Sequence, residues 1–234
     1  MLTVNSPFLN IPAQMDRKQA VFLDGICHAV QISHLSYTRL CKSLTSISGS
    51  PDCNDFSHVF LDAWAFIDAA DRFRFLWQQQ PKPSLLAQSG QDDSALSGLQ
   101  DIRNVRNVAA HIAQKIDQIV SLNSSVLGEI SWVTLLSEKP LRIKTHFIRP
   151  GVVFSNMSAQ FAMPKGEINF TNGSGAISIV AGKYTANLSE AHDALRRLVS
   201  NAEINLAVYF HEFSNAQRLP ANILGCAELD TGGM

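Results

Sequence analysis

Apolar residues in this chain repeat at helical spacing over three long stretches, change to alternation, and then return to helical spacing. From about Asp16 to Leu44, the positions Val21, Phe22, Ile26, Val30, Ile32 and Leu40 form the candidate core face of a first helix. A second helix is predicted from about Asp55 to Gln79, where Phe56, Val59, Phe60, Ala63, Trp64, Ile67, Ala70 and Phe73 repeat by threes and fours until Pro81 and Pro83 end it. A third is predicted over Ala95 to Leu122, capped by Asp93 or Ser94, with Leu99, Ile102, Val105, Ala109, Ile112, Ile116 and Ile119 as its stripe. The stretches between them, 43–54 and 81–93, read as a loop and a linker by composition.

The pattern changes at Asn123. Between Glu129 and Ala186 short alternating runs are separated by turn residues, Pro150-Gly151 and Asn172-Gly173 among them. LRIKTHFI (141–148) predicts a strand with Leu141, Ile143, Thr145 and Phe147 inward and Arg142, Lys144 and His146 outward. Helical spacing returns at Asn187-Leu-Ser-Glu190, a capping-box spelling, and continues to about Phe213 through Ala194, Leu195, Leu198, Val199, Ala202, Leu206 and Tyr209. The expected class is α+β: helices over 1–128, an antiparallel sheet of four or five strands inserted at 129–187, and a last helix with its tail over 188–234. That last helix either completes a four-helix bundle or covers a separate sheet.

Composition narrows the setting. The 234 residues are 46% hydrophobic, enough to build a core, and no apolar run approaches the roughly 20 residues of a membrane span. No basic start followed by an apolar block marks a secretory leader, and Cys27, Cys41, Cys53 and Cys226 form no C-x-x-C pair. Both points lead to an expectation of a cytoplasmic protein with reduced thiols, in which Asn187-Leu-Ser is not a glycosylation site. The net charge of −1 is uneven: residues 1–128 hold ten Lys/Arg and eleven Asp, whereas 129–187 hold six Lys/Arg against three Glu. That excess makes the strand region the candidate phosphate-facing surface, with solvated strand positions as its plain alternative.

One polar group is not explained by the core. At roughly 100° per residue, Asn107 falls nearly opposite the apolar stripe of the third helix, His111 one turn further along that outer face, and Arg106 at its flank. Arg106-Asn107-x-x-x-His111 on a helix, preceded by an acidic amphipathic helix, resembles the HEPN family (higher eukaryote and prokaryote nucleotide-binding). Those proteins are small helical bundles whose signature is an Arg, four to six residues, and a His, with a polar residue commonly after the Arg. The resemblance covers about residues 16–122 plus the last helix, and the 129–187 sheet has no counterpart in the minimal family fold. It implies a homodimer whose motif helices meet, a metal-independent ribonuclease activity, and a toxin or defence role with an antitoxin or regulatory partner. The tyrosine two residues after the His that some members carry is absent, since position 113 is Ala.

The residue types suit that chemistry. Cleavage without a metal needs a base for the 2′-OH, an acid for the leaving 5′-oxygen, and a cation for the charge developing on the phosphate. An imidazole at His111 can move the protons, and a guanidinium at Arg106 can hold the non-bridging oxygens. Asn107 either orients His111 or hydrogen-bonds the phosphate. On one helix Arg106 and His111 stand about 140° and 7.5 Å apart, so a two-fold axis is required to assemble a cleft from two copies. The carboxylate partner is one of Asp62, Asp68, Asp71 and Asp101, with Asp68 preferred, while Arg72, Arg74 and Arg103 either pair with these or bind phosphate. Arg103, Arg142 and Lys144 are the candidate RNA contacts. The alternative function is a non-catalytic HEPN-like module that senses a nucleotide or docks a protein.

Other signals are weaker. His211-Glu212 lacks the second His of a zincin helix, His192-Asp193 at a helix start reads as capping and dipole chemistry, and His28 and His34 have no third ligand near them. No metal or cofactor is expected. Trp64, Trp77 and Trp132 read as core or interface residues.

Overall fold

The computed structural model describes residues 1–50, 55–86, 92–122, 124–151, 168–213, 217–219, 222 and 224–226. Its longest element is α1, Arg17–Ser48, started by Asp16, whose side chain accepts from the Gln19 amide at 2.9 Å. It extends through Ser43–Ser48, which composition alone reads as loop. The packed face is Leu23, Ile26, Cys27, Val30, Tyr37, Leu40, Cys41 and Leu44, whereas Val21 and Ile32 point to solvent. Both are apolar, but they lie off the i, i+3, i+4 line that Leu23 begins.

Helix α2, Ser57–Gln79, lies antiparallel on α1. Gln19 at the start of α1 donates to Gln80 just beyond α2 at 3.0 Å, and Arg39 pairs with Asp62 at 3.2 Å. Gly25 faces Leu76 of α2, whose Cδ1 would lie 2.9 Å from a Cβ at that position and would have to move aside. The apolar period of α2 is met almost residue for residue: Val59, Phe60, Ala63, Ile67, Ala70 and Phe73 are buried.

The single third helix is replaced by several pieces. They are α3 (Asp92–Gly98), α4 (Gln100–Ala110), a 3-10 turn at Ile112–Lys115, and α5 (Ile116–Ser121). Leu99 just before α4 is buried, as are Ile102, Val105 and Val108 within it, but not Ala109. Steps of three leave each contact about 60° behind the last, so the buried line winds around the helix and cannot be prolonged on one face. His111 ends α4 in a non-helical conformation (φ −122°, ψ 31°). Beyond it Ile119 is buried but Ile116 and Val120 are exposed.

The sheet is five-stranded and antiparallel: β1 (Glu129–Glu138), β2 (Leu141–Ile148), β3 (Phe170–Thr171), β4 (Ser174–Ala181) and β5 (Tyr184–Asn187). The order is β2-β1-β4-β3, with β5 also on β4. Asn172 and Gly173, both at positive φ, make the two-residue turn from β3 to β4. Thr45 of α1 holds that turn, bonding the Asn172 carbonyl at 2.6 Å and the Ser174 hydroxyl at 2.7 Å. Ile130, Trp132, Ile177, Ile179, Ala181 and Ala186 face the helices and join the same hydrophobic cluster as α1, α2 and α4.

Strand β2 departs from its predicted orientation. Trp132 pairs with His146 and Ile130 with Ile148, so the even-numbered residues of β2 face the core side. Ile148 is buried and His146 stacks on Trp132 with ring centroids 5.1 Å apart, while Leu141 (66% exposed) and Phe147 (38%) look outward. Arg142 and Lys144 are exposed as expected, although Lys144, paired with Thr134, shares the register of His146 and Ile148.

Helix α6, Leu188–His211, opens with the expected cap: the Asn187 side chain accepts from the Glu190 amide at 3.1 Å. Its predicted stripe is buried except for Tyr209, which is half-buried. Glu203 of α6 accepts from the amide (2.9 Å) and hydroxyl (3.1 Å) of Thr3. Residues 217–219 return to pair with 11–13: Ala13 N donates to Gln217 O at 2.8 Å and Leu219 N to Ile11 O at 2.9 Å. Among the described residues no helix is long and apolar enough to cross a membrane.

Candidate functional site

Helices α2 and α4 lie side by side, and their outer faces enclose a cleft of roughly 270 Å³ lined by Asp71, Arg72, Arg74, Phe75, Arg103, Arg106 and Asn107. Position follows from periodicity. Asp71, Arg72 and Phe75 follow Asp68 by three, four and seven residues on α2, and Arg106 and Asn107 follow Arg103 by three and four on α4.

Arg106 is fixed at two points. Its Nε donates to Asp68 Oδ1 at 2.9 Å and its Nη1 to Asp71 Oδ2 at 3.3 Å. Asp68 also accepts from Arg72 Nη2 at 2.8 Å. Asp71 Oδ1 takes Nε and Nη2 of Arg74, both at 3.1 Å, and Arg74 Nη1 reaches Gln78 at 2.9 Å. Arg74 is 4% exposed, so Asp71 is the counter-ion of a buried charge, whereas Arg106 and Asp68 stand at the rim. Partial burial works against ionisation of Asp68, but the hydrogen bond and charge of Arg106, joined by Arg72, outweigh it and hold its carboxyl below the usual range.

The expected carboxylates therefore divide. Asp68 and Asp71 both hold Arg106. Asp62 is instead buried against Arg39 of α1, where burial pushes its carboxyl up against that partner, and Asp101 lines a separate polar hollow with Glu190, Asp193 and Arg197. Asn107 is exposed at the lip of the cleft, as its place opposite the stripe predicts. Arg103 is exposed in the same cleft, with no ion pair among the described residues.

His111 is not a cleft residue. The end of α4 places it exposed at the helix terminus, and its ring has no hydrogen bond among the described residues. The continuous-helix geometry predicted for Arg106 and His111 does not hold, since His111 leaves the helix. Arg142 and Lys144 are also apart from the cleft: α4 packs on β5 and β4, and β1 lies between β4 and the β2 edge. Phe75 is a cleft residue that sequence reasoning missed. The available signal is that it lies off the buried stripe of α2, where an aromatic has no core to fill.

A second polar cluster lies inside the core. His192 stacks on Tyr37 with centroids 4.0 Å apart, and its Nε2 lies 3.5 Å from Nδ1 of His34. Tyr37 donates its hydroxyl to Ser189 Oγ at 2.9 Å, and the same oxygen accepts the Ile177 amide at 2.8 Å, linking α1, α6 and β4. Burial, then the neighbouring His34, push the imidazole of His192 down to about 4. His192 is thus a packed core residue, not a capping one, since Asn187 caps α6. His28 lies 3.5 Å from Asp24 one turn earlier on α1. Among the described residues no group of three His, Cys, Asp or Glu is placed to hold a metal ion. Trp77 and Trp132 are buried, and Trp64 donates to the Leu127 carbonyl at 3.1 Å. Cys27 and Cys41 are buried free thiols, Cys226 is exposed, and Cys53 lies outside the described residues.

No family model matches the chain, and no curated protein or solved structure matches it.

Proposed function

We propose that this chain is a HEPN-like, metal-independent endoribonuclease that acts as a homodimer in the cytoplasm. In this reading its helices form a variant of the family's four-helix bundle, with the sheet as an insertion before the last helix. The observation that carries it is Arg106, held by Asp68 and Asp71 from the preceding helix and set beside Asn107 on the open face of α4. A guanidinium fixed by two carboxylates is pre-oriented, so it can meet a developing phosphate charge with little reorganisation. Two copies related by a two-fold axis would bring Arg106 and His111 of both into one composite cleft. Exposed Ile116, Val120 and Leu122, further along the chain than His111, are the apolar surface such a contact would bury. His111 then takes the 2′-OH proton and its symmetry mate protonates the leaving 5′-oxygen. Arg103 in the cleft, with Arg142 and Lys144 on the distant β2 edge, track the RNA backbone. A toxin or defence role, with an antitoxin or regulatory partner, belongs to the same reading.

Purified protein should cleave single-stranded RNA in EDTA and leave 2′,3′-cyclic phosphate ends. Arg106→Ala should lower the rate a few hundredfold, about 3–4 kcal/mol by comparison with losing one oxyanion donor. His111→Ala should abolish cleavage without unfolding the chain. Products with 5′-phosphates that appear only with a divalent metal would contradict the mechanism, as would a monomer at micromolar concentration by light scattering.

A second reading has its own observation. His111 stands outside the cleft and Arg106 is already paired with two carboxylates, an arrangement that suits a non-catalytic module sensing a nucleotide or docking a protein. Wild-type protein that binds RNA and leaves every RNA intact selects this reading.

A further inference from the structure

Charge in the α2–α4 cleft does not balance. The guanidinium groups of Arg72, Arg74, Arg103 and Arg106 line it, and two carboxylates, Asp68 and Asp71, answer them. Both oxygens of each carboxylate are already engaged, and Arg103 takes none of them. The excess of positive charge faces a concave, solvent-open space, which is the electrostatic form of an anion site.

Phe75 adds a second, independent demand. The residue is 56% exposed, one turn beyond Arg72, and it lines the same cleft. The core does not need it, since Phe66, Phe73 and Trp77 of α2 already fill the inner face. A ring exposed beside guanidinium groups offers a flat apolar face to a planar ligand whose other end is anionic. Asn107, at the lip, presents both a donor and an acceptor to a polar edge.

From these we infer that the cleft is a nucleotide subsite in which Arg103 and Arg72 hold the phosphate and Phe75 stacks the base. Arg74 is a positioning residue here, because it is buried and acts by fixing Asp71, which in turn aims Arg106. A hollow of roughly 270 Å³ is near the lower bound for small-ligand sites and accommodates one nucleotide unit. The ligand class rests on the ribonuclease reading, whereas the assignment of Phe75 and Arg103 rests on the cleft itself.

The test measures binding without cleavage. The probes are a fluorescein-labelled, fully 2′-O-methylated single-stranded octamer, which has no 2′-OH to attack, followed by AMP and inorganic phosphate in calorimetry. Arg103→Ala should weaken octamer binding five- to tenfold and lower its salt dependence by about one phosphate contact. Phe75→Ala should weaken the octamer and AMP about tenfold and leave inorganic phosphate unchanged, and Phe75→Trp should restore both. Both positions are exposed, and circular dichroism confirms that each variant is folded. Competition by AMP identifies a free nucleotide as a sufficient ligand. Octamer binding that AMP does not displace identifies an RNA strand, and either supports the subsite.

Three results would overturn it: no binding of octamer or AMP by the wild type at low salt, octamer affinity unchanged in Phe75→Ala, or displacement of the octamer by inorganic phosphate at the concentration at which AMP displaces it. Failure of the two proposals is distinguishable. Protein that binds the octamer through Phe75 but cuts no RNA defeats the ribonuclease alone. Protein that cuts RNA with binding indifferent to both substitutions defeats the subsite alone.

Discussion

Two polar clusters sit against one hydrophobic core, and their difference separates structural polarity from chemical polarity. The His192–Tyr37–Ser189 cluster is closed: its rings are stacked, Ser189 serves two donors, and its groups are buried. The Asp68–Asp71–Arg106 cluster is closed on its inner side only. Arg74 and Asp71 are buried there, whereas Arg106 and Asp68 are both 43% exposed and open on a cleft with surplus positive charge. A cluster that satisfies itself fixes a fold. One that leaves charge facing solvent invites a ligand.

The largest effect should come from cutting the inner side of the open cluster. Asp71→Ala leaves the Arg74 guanidinium buried without a counter-ion and should cost about 3–5 kcal/mol in urea unfolding. A loss below about 1 kcal/mol would mean that this cluster is as weakly built inside as outside.

The closed cluster should reveal itself through pH. His192 titrates near 4 in the folded chain and near 6.5 when unfolded, so the unfolded state binds the proton first as pH falls. Its contribution is complete above about pH 6.5, is lost progressively down to about pH 4, and amounts to about 3 kcal/mol. His192→Phe should flatten stability over that window. An unchanged pH profile in this variant would place the titration elsewhere.

Ser189→Ala leaves the Tyr37 hydroxyl and the Ile177 amide without their acceptor and should cost about 2 kcal/mol by thermal denaturation. The smallest effects belong to exposed groups: Arg106→Ala at the rim should shift stability by no more than about 1 kcal/mol, and His111→Ala, outside the cleft, by less than about 0.5 kcal/mol. If Arg106→Ala instead destabilises the chain as much as Ser189→Ala, the rim is structural and the contrast between the clusters is lost.

Local rules were sufficient wherever local geometry decides. The Asn187 cap, the Asn172-Gly173 turn and the α2 stripe follow from a few neighbouring residues, and each is found in place. The outward position of Asn107 follows from the same helical period. The misread features depend on distant contacts. No Gly or Pro marks the break at His111, which arises because Val108, and not Ala109, is the next buried position. The face of β2 is set by pairing Trp132 with His146, a register that alternation within LRIKTHFI does not contain. His192 at a helix start has the spelling of a capping residue until Tyr37, 155 positions earlier in the chain, stacks against it. Asp68 and Asp71 were visible as candidates, but the division of labour between rim and interior required burial to be known.

The pairing of residues 11–13 with 217–219 has a mechanical consequence. Because the two segments are antiparallel, Ile11 and Leu219 stand at the same end of the pair, where the chain leaves in both directions. Tension applied to the flanking segments therefore pulls the ladder open from that end, one hydrogen bond after another, and does not load its bonds together in shear. In a force-spectroscopy trace the first event should be the low-force release of 217–219, after which the load reaches α6 and the helices it is packed against.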